Sequence, residues 1–259
     1  MFTSYQLKQD WNQELPYYWC DNSPFKSHLF NAMSLTFPDG ERFYVHSVKA
    51  FKDQITDTAL LEEIDEFAKQ EYFHSYAHKQ YNDWLDRQGL PAEQLRQDVV
   101  KIISWANRKL TAETRLAVTV CQEHITVILA VNGLTNRSFY RRMHPHFEHI
   151  WRWHNIEEVE HKSTSMLVWQ AIGGKPNKLH RVMILATIVF WYTVLKFAVK
   201  MLHRDKQLWK WRTVKDAWDL LFSKNGMFSF GRDRWFAFFK KDYTPLDHND
   251  AKLLNYRKT

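Results

Sequence analysis

At 259 residues, with 45% apolar and 25% charged side chains, the chain has the composition of an ordinary globular protein and the length for one large domain, or one domain with an appendage. Cys20 and Cys121 stand far apart with no Cys-x-x-Cys or zinc-type spacing, and two isolated cysteines point to a reducing compartment. The net charge of +7 is unevenly placed: residues 181–259 hold 16 Lys and Arg against 7 Asp and no Glu, a surplus of +9, so residues 1–180 sum to −2.

The first twenty residues carry no basic segment followed by an apolar run, so no signal peptide is read there. The expectation is a cytoplasmic protein, peripheral at the inner face of the membrane if the basic tail finds an anionic lipid surface. Nucleic acid is a weaker partner, because only the basic tail speaks for it. Self-assembly is left open.

Glycine and proline divide the chain into long stretches free of both, as helices require, and no hairpin signal joins alternating apolar runs. The spacing predicts helices over residues 41–54, with Asp39 near the cap, over 58–88, stopped by Gly89, and over 91–110, opened by Pro91. Further helices are expected over 112–131, ending near Gly133, and over 145–172, from Pro145 to Gly173-Gly174. The last are 177–202 and a shorter one over 207–223. Residues 182–195 are almost continuously apolar but short for a membrane span, which favours a core or interfacial helix. Beyond them Trp209, Trp211, Trp218 and Trp235 interleave with Lys206, Lys210, Arg212 and Lys215, a mixture suited to a membrane interface. The fold class is therefore all-α. The expected organisation is an extension over 1–36, a metal-binding helical bundle over 37–205 and a basic, aromatic-rich appendage over 206–259.

Four places concentrate chemistry. Glu71 and His74 form a Glu-x-x-His pair, and Glu158 and His161 form a second; residues i and i+3 share a helix face, so each pair offers a carboxylate and an imidazole to one point. One such pair alone means little. Glu41 precedes the first pair, and Glu123 precedes the second within a strongly apolar stretch, where an unpaired carboxylate is costly. The order Glu, Glu-x-x-His, Glu, Glu-x-x-His is the ligand layout of a ferritin-like four-helix bundle with additional C-terminal helices and a two-metal carboxylate centre. Two iron ions, or alternatively manganese or zinc, are the expected cofactors.

His78 and His154 lie one turn from the two pairs and are read as supporting partners or occasional ligands; Tyr44 is read as an ordinary buried tyrosine ahead of a hydrogen-bond partner or redox group. Glu157 and Glu160 are read as solvent or salt-bridge residues, and His46 and His124 as structural.

The stretches FPDGERFYVHSV (37–48), QEYFHSYAHKQYN (70–82) and WRWHNIEEVEHKS (151–163) resemble a bacterial family described as predicted metal-dependent hydrolases and grouped with ferritin-like proteins. The resemblance runs over roughly residues 30–205 and implies the same six ligands. Three functions are expected in order: an O₂-activating oxidoreductase acting on a small apolar or acyl-type substrate, a hydrolase using a two-metal-activated water, and a non-catalytic metal-binding bundle.

Overall fold

The computed structural model describes residues 5–136 and 142–254. Arg257 and Lys258 of the basic tail lie outside them. No strand occurs among the described residues, so the protein is all-α.

Helix α1 (Pro24–Lys49) opens on Ser23, whose hydroxyl accepts from Lys26 N, with Pro24 in the first turn. It begins well before the expected start near residue 41 because Pro38 sits inside it. A proline there removes the N–H that should reach the carbonyl four residues back, Ser34 O. Asn82 Nδ2 supplies the missing donor at 3.1 Å. The helix therefore also crosses residue 37, where the extension was expected to give way to the bundle.

Helix α2 (Thr58–Arg87) is capped by Asp57 and stopped by Gly89, whose φ of +80° suits glycine. Helix α3 (Ala92–Lys109) follows Pro91. Helix α4 (Ala112–Thr135) continues through Gly133, contrary to the expected stop. Burial of Val131 and Leu134 against Ile156 and Val159 outweighs the glycine's cost of about 1 kcal/mol.

The stretch after Pro145 was expected to form one helix and forms two, α5 (Pro145–Glu160) and α6 (Thr164–Ala171). The chain turns at His161–Ser163, with Thr164 N donating to His161 O (3.0 Å). There His161 is buried, while Lys162 is drawn to Asp250 (2.7 Å) and His248 O (2.6 Å). Helix α7 (Pro176–Arg204) is followed by α8 (Trp211–Phe222), α9 (Met227–Ala237) and α10 (Ala251–Leu254).

Helices α1, α2, α5 and α4 touch in a closed ring, with α3 against α1 and α2, and α7 against α1 and α4. The segments outside this ring join the same core. Trp11 stacks on Tyr81 and Trp19 on Phe147 at the N-terminal side, and Phe238 and Tyr243 are buried at the other.

Candidate metal centre

Each wall of the ring contributes to one interior point. Glu41 from α1, Glu71 and His74 from α2, Glu123 from α4, and Glu158 and His161 from the end of α5 are all buried. His161 Nε2 stands 3.1 Å from Glu71 Oε1, 3.4 Å from Glu123 Oε2 and 3.6 Å from Glu158 Oε2. His74 Nδ1 stands 3.8 Å from both Glu71 Oε1 and Glu158 Oε1. Donor atoms converge in three groups: Glu71 with Glu123 and His161, Glu41 with His74 and His154, and Glu71 with His74 and Glu158. The six residues expected from spacing are thus brought together, and His154 joins them.

Four carboxylates in an apolar interior are strongly unfavourable unless compensated. No Lys or Arg pairs with any of the four among the described residues. Both oxygens of Glu41, both of Glu71, Glu123 Oε2, both ring nitrogens of His74 and His161 Nε2 lack a hydrogen bond of acceptable geometry. Burial, then Glu71, drives Glu41 well above the ordinary carboxyl range, and the same two causes lift Glu123 to about 8. Burial also acts to raise Glu71 and Glu158, but neighbouring histidines outweigh it and hold both low. His161 is held well above an ordinary imidazole and His74 at about 10: burial opposes both shifts, and carboxylate contacts prevail. Protons occupy this site where cations would otherwise balance the charge.

Hydrogen-bond direction shows which atoms those cations would meet. Around His161, Gln70 Nε2 donates to Glu160 Oε2 (2.9 Å), which turns Gln70 Oε1 toward His161 Nδ1 (3.0 Å). Oε1 can only accept, so Nδ1 carries a proton and neutral His161 has its Nε2 lone pair facing inward. Around His74, Nε2 lies 3.2 Å from Glu157 Oε2, and Trp153 Nε1 donates to Glu157 Oε1 (3.0 Å). That carboxylate lies in ion-pair range of Nε2 and favours a proton there, which would leave Nδ1 facing inward.

A longer chain sets His154. Ser34 O can only accept, so Asn82 presents Nδ2 to it and Oδ1 to the Ser34 hydroxyl (2.8 Å). Ser34 Oγ spends its one proton there and accepts from His78 Nδ1 (2.9 Å). His78, which burial and then His154 keep neutral, accepts at Nε2 from His154 Nδ1 (3.1 Å). His154 Nε2 is left as a lone pair 3.2 Å from Glu158 Oε1. A proton or a metal cation between the two atoms would relieve that pairing.

The salt-bridge reading of Glu157 is met by His74, while its exposure to solvent is not. Glu157 is fully buried beside His74, and Glu160, only partly exposed, accepts from Gln70, which in turn faces His161. Glu157 does point away from Glu158, yet the direction it takes is toward α2. Gln70, Ser34 and Asn82 gave no signal in the sequence, although Gln70 adjoins Glu71. His124 is structural, contacting Tyr243 Oη (3.3 Å) and Arg234 O (3.2 Å), and His46 is exposed.

Beside the centre lies a cavity of about 250 Å³ between α1, α3, α4 and α7. No charged side chain lines it; Phe43, Val99, Ile103 and Phe190 are among its walls, with Tyr44 and Gln122 the polar groups next to ligand positions. Tyr44 does not hydrogen-bond a ligand carboxylate among the contacts found. It lines this cavity, and burial followed by the charges of Glu123, Glu71, Glu41 and Glu158 holds its phenol well above its usual range.

Fold and site together define an all-α protein with buried carboxylate–histidine groups able to hold metal ions. The chain belongs to the family described as predicted metal-dependent hydrolases, which it matches over residues 4–249. The match extends past the stretch 30–205 that carried the resemblance and takes in the basic tail as far as residue 249. No curated protein and no solved structure matches the chain.

Proposed function

We propose that this chain is a metal-dependent enzyme whose helical ring is a ferritin-like bundle holding two divalent ions. One ion would lie among Glu71, Glu123 and His161, the other among Glu41, His74 and His154, with Glu71 and Glu158 facing both. The observation that carries this reading is the set of three imidazoles, His161 and His154 with the outer nitrogen hydrogen-bonded and His74 with its own in ion-pair range of Glu157, whose inner nitrogens face four carboxylates. Iron or manganese suits mixed oxygen and nitrogen donors, with zinc the alternative. Such a pair supplies Lewis acidity and an activated water or, if redox-active, electrons for O₂ chemistry.

Hydrolysis is the reading that the family description supports. Tyr44, whose phenol stays protonated between cavity and carboxylates, is placed to donate a hydrogen bond to a leaving group. Oxidation of an apolar substrate is the second reading. The donor set and the uncharged cavity beside it favour that one, because a dry pocket protects reactive species from water. Both give the cavity the same task, to hold an apolar or acyl chain with its reacting end toward Tyr44 and Gln122.

The test is anaerobic loading of metal-free protein with ferrous iron or zinc, followed by metal counting, O₂ uptake and cleavage of acyl esters. Two ions per chain are expected. Ester cleavage with zinc and no response to O₂ selects hydrolysis; O₂ uptake by the iron form selects oxidation. Full metal content in both Glu123→Ala and His161→Ala would overturn the centre itself.

A further inference from the structure

The cavity opens within an apolar surface that the core leaves uncovered. On α7, Ile184, Ile188 and Tyr192 recur every fourth residue and are 49%, 60% and 67% exposed, with Leu185 and Val189 beside them at the cavity wall. Across the opening α3 adds exposed Ile102 and Trp105. Only 39% of the most apolar stretch of α7 is buried, against 83% for α4, so one face of α7 joins the core and the other is left uncovered.

A second stripe lies on α8, where Trp211, Val214, Trp218 and Phe222 recur at helical spacing and are all exposed. The two stripes are continuous. Trp218 meets Phe222 with ring centres 5.2 Å apart, Phe222 meets Phe228 at 5.3 Å, and Phe228 meets Trp191 of α7 at 4.6 Å.

Positive charge borders this face. Lys196, Lys200 and Lys101 surround the single acid Asp98 at 2.9, 3.7 and 3.8 Å. Lys210, Arg212 and Lys215 interleave with the α8 stripe. A broad apolar face with tryptophans and a basic border matches an anionic bilayer, whose headgroups attract the cations while its acyl layer receives the rings. Apposing two copies of the face would set basic border against basic border.

We propose that the face formed by α3, α7 and α8 docks on an anionic lipid bilayer, so that the cavity mouth opens into the acyl layer. Passage of an aliphatic chain from the bilayer to Tyr44 and Gln122 rests on the metal-enzyme reading; the docking itself does not.

The test is flotation of the full chain with vesicles of phosphatidylcholine alone or with about a quarter phosphatidylglycerol. Co-flotation with the anionic vesicles at low salt, and release at high salt, is expected. The triple variant Ile188→Ser, Trp211→Ser, Trp218→Ser should bind at least about tenfold more weakly while keeping its helical content. Lys196→Glu with Lys200→Glu, which leaves the apolar face intact, should also weaken binding. No flotation with anionic vesicles, or undiminished flotation of both variants, overturns the proposal. So does a triple variant that only converts a dimer to a monomer, since the face would then be a self-contact. His161→Ala should float like the parent chain; if it does and metal content proves independent of the ligands, the enzymatic reading alone falls.

Discussion

Asn82 donates to the carbonyl oxygen of Ser34 across 3.1 Å, serving the acceptor that Pro38 leaves without its helical partner. This bond does more than repair a helix. By orienting the Asn82 amide it makes the Ser34 hydroxyl a donor, His78 a donor toward Ser34, and His154 a lone-pair donor toward the centre. An irregularity in α1 is transmitted through four side chains to one nitrogen that faces the candidate centre.

Replacing Asn82 by alanine should reverse that order. The Ser34 hydroxyl is then free to donate to His78, whose proton moves to the nitrogen facing His154, and the His154 proton moves inward. Metal affinity on the Glu41–His74–His154 side should fall by about 10- to 100-fold. A calorimetric metal titration should show one tight ion in place of two.

Glu157→Gln tests the same logic without a change in size. Trp153 Nε1 keeps the amide oxygen, so the new NH₂ group faces His74 Nε2 and requires it to accept. The His74 proton then points at the metal position. Affinity should drop by about 10- to 100-fold, while Glu157→Asp, still an acceptor, should lose less. Titration of both variants beside the parent chain decides.

The metal-free protein should lose stability as pH rises from 6.5 to 8. Glu123 has its carboxyl raised from 4.5 to about 8 and His74 its imidazole raised from 6.5 to about 10. A raised value means the fold binds its proton more tightly than the unfolded chain does, so each stabilising contribution is fully present below the ordinary value and lost as pH approaches the raised one. Glu71 and Glu158 are held below 4.5, and the lowered His78 and His154 titrate below 6.5, so none of the four opposes the trend in this window. Thermal melts of the metal-free chain should show Tm falling across the interval, and metal should flatten the slope by replacing the protons.

Asp250 joins Lys162 at 2.7 Å and Arg234 at 2.6 Å, with the Lys162 and Asp250 side chains 9% and 5% exposed. Asp250→Ala leaves Lys162 and Arg234 without their shared carboxylate and should cost about 3 kcal/mol. Denaturant melts measure that loss. Metal binding should weaken too, because the turn at His161–Ser163 is held from outside by Lys162.

Much of the centre was legible because its chemistry is periodic. Glu71 with His74, and Glu158 with His161, share faces by helical spacing, and Glu123 stood out as an acid in an apolar run. The all-α class followed from the distribution of glycine and proline. The early start of α1 was hidden because Pro38 normally signals a boundary, and the donor that makes it tolerable comes from α2. The break at His161 was hidden because no local glycine or proline marks it. The tail, expected as an appendage, supplies Asp250, Tyr243 and Phe238 to the same body.

The sequence by itself determined which residues can share a helix face, since that depends only on a repeat of 3.6 residues per turn. It thereby paired Glu71 with His74 and Glu158 with His161, while the distribution of glycine and proline gave the all-α class. Only the tertiary structure decided that Glu157, Gln70 and the Ser34–Asn82–His78 chain stand behind the imidazoles, that His154 joins the donors, and that an uncharged cavity adjoins them. Those relations run between helices far apart in sequence, where packing sets distance and hydrogen-bond direction sets which nitrogen carries the proton.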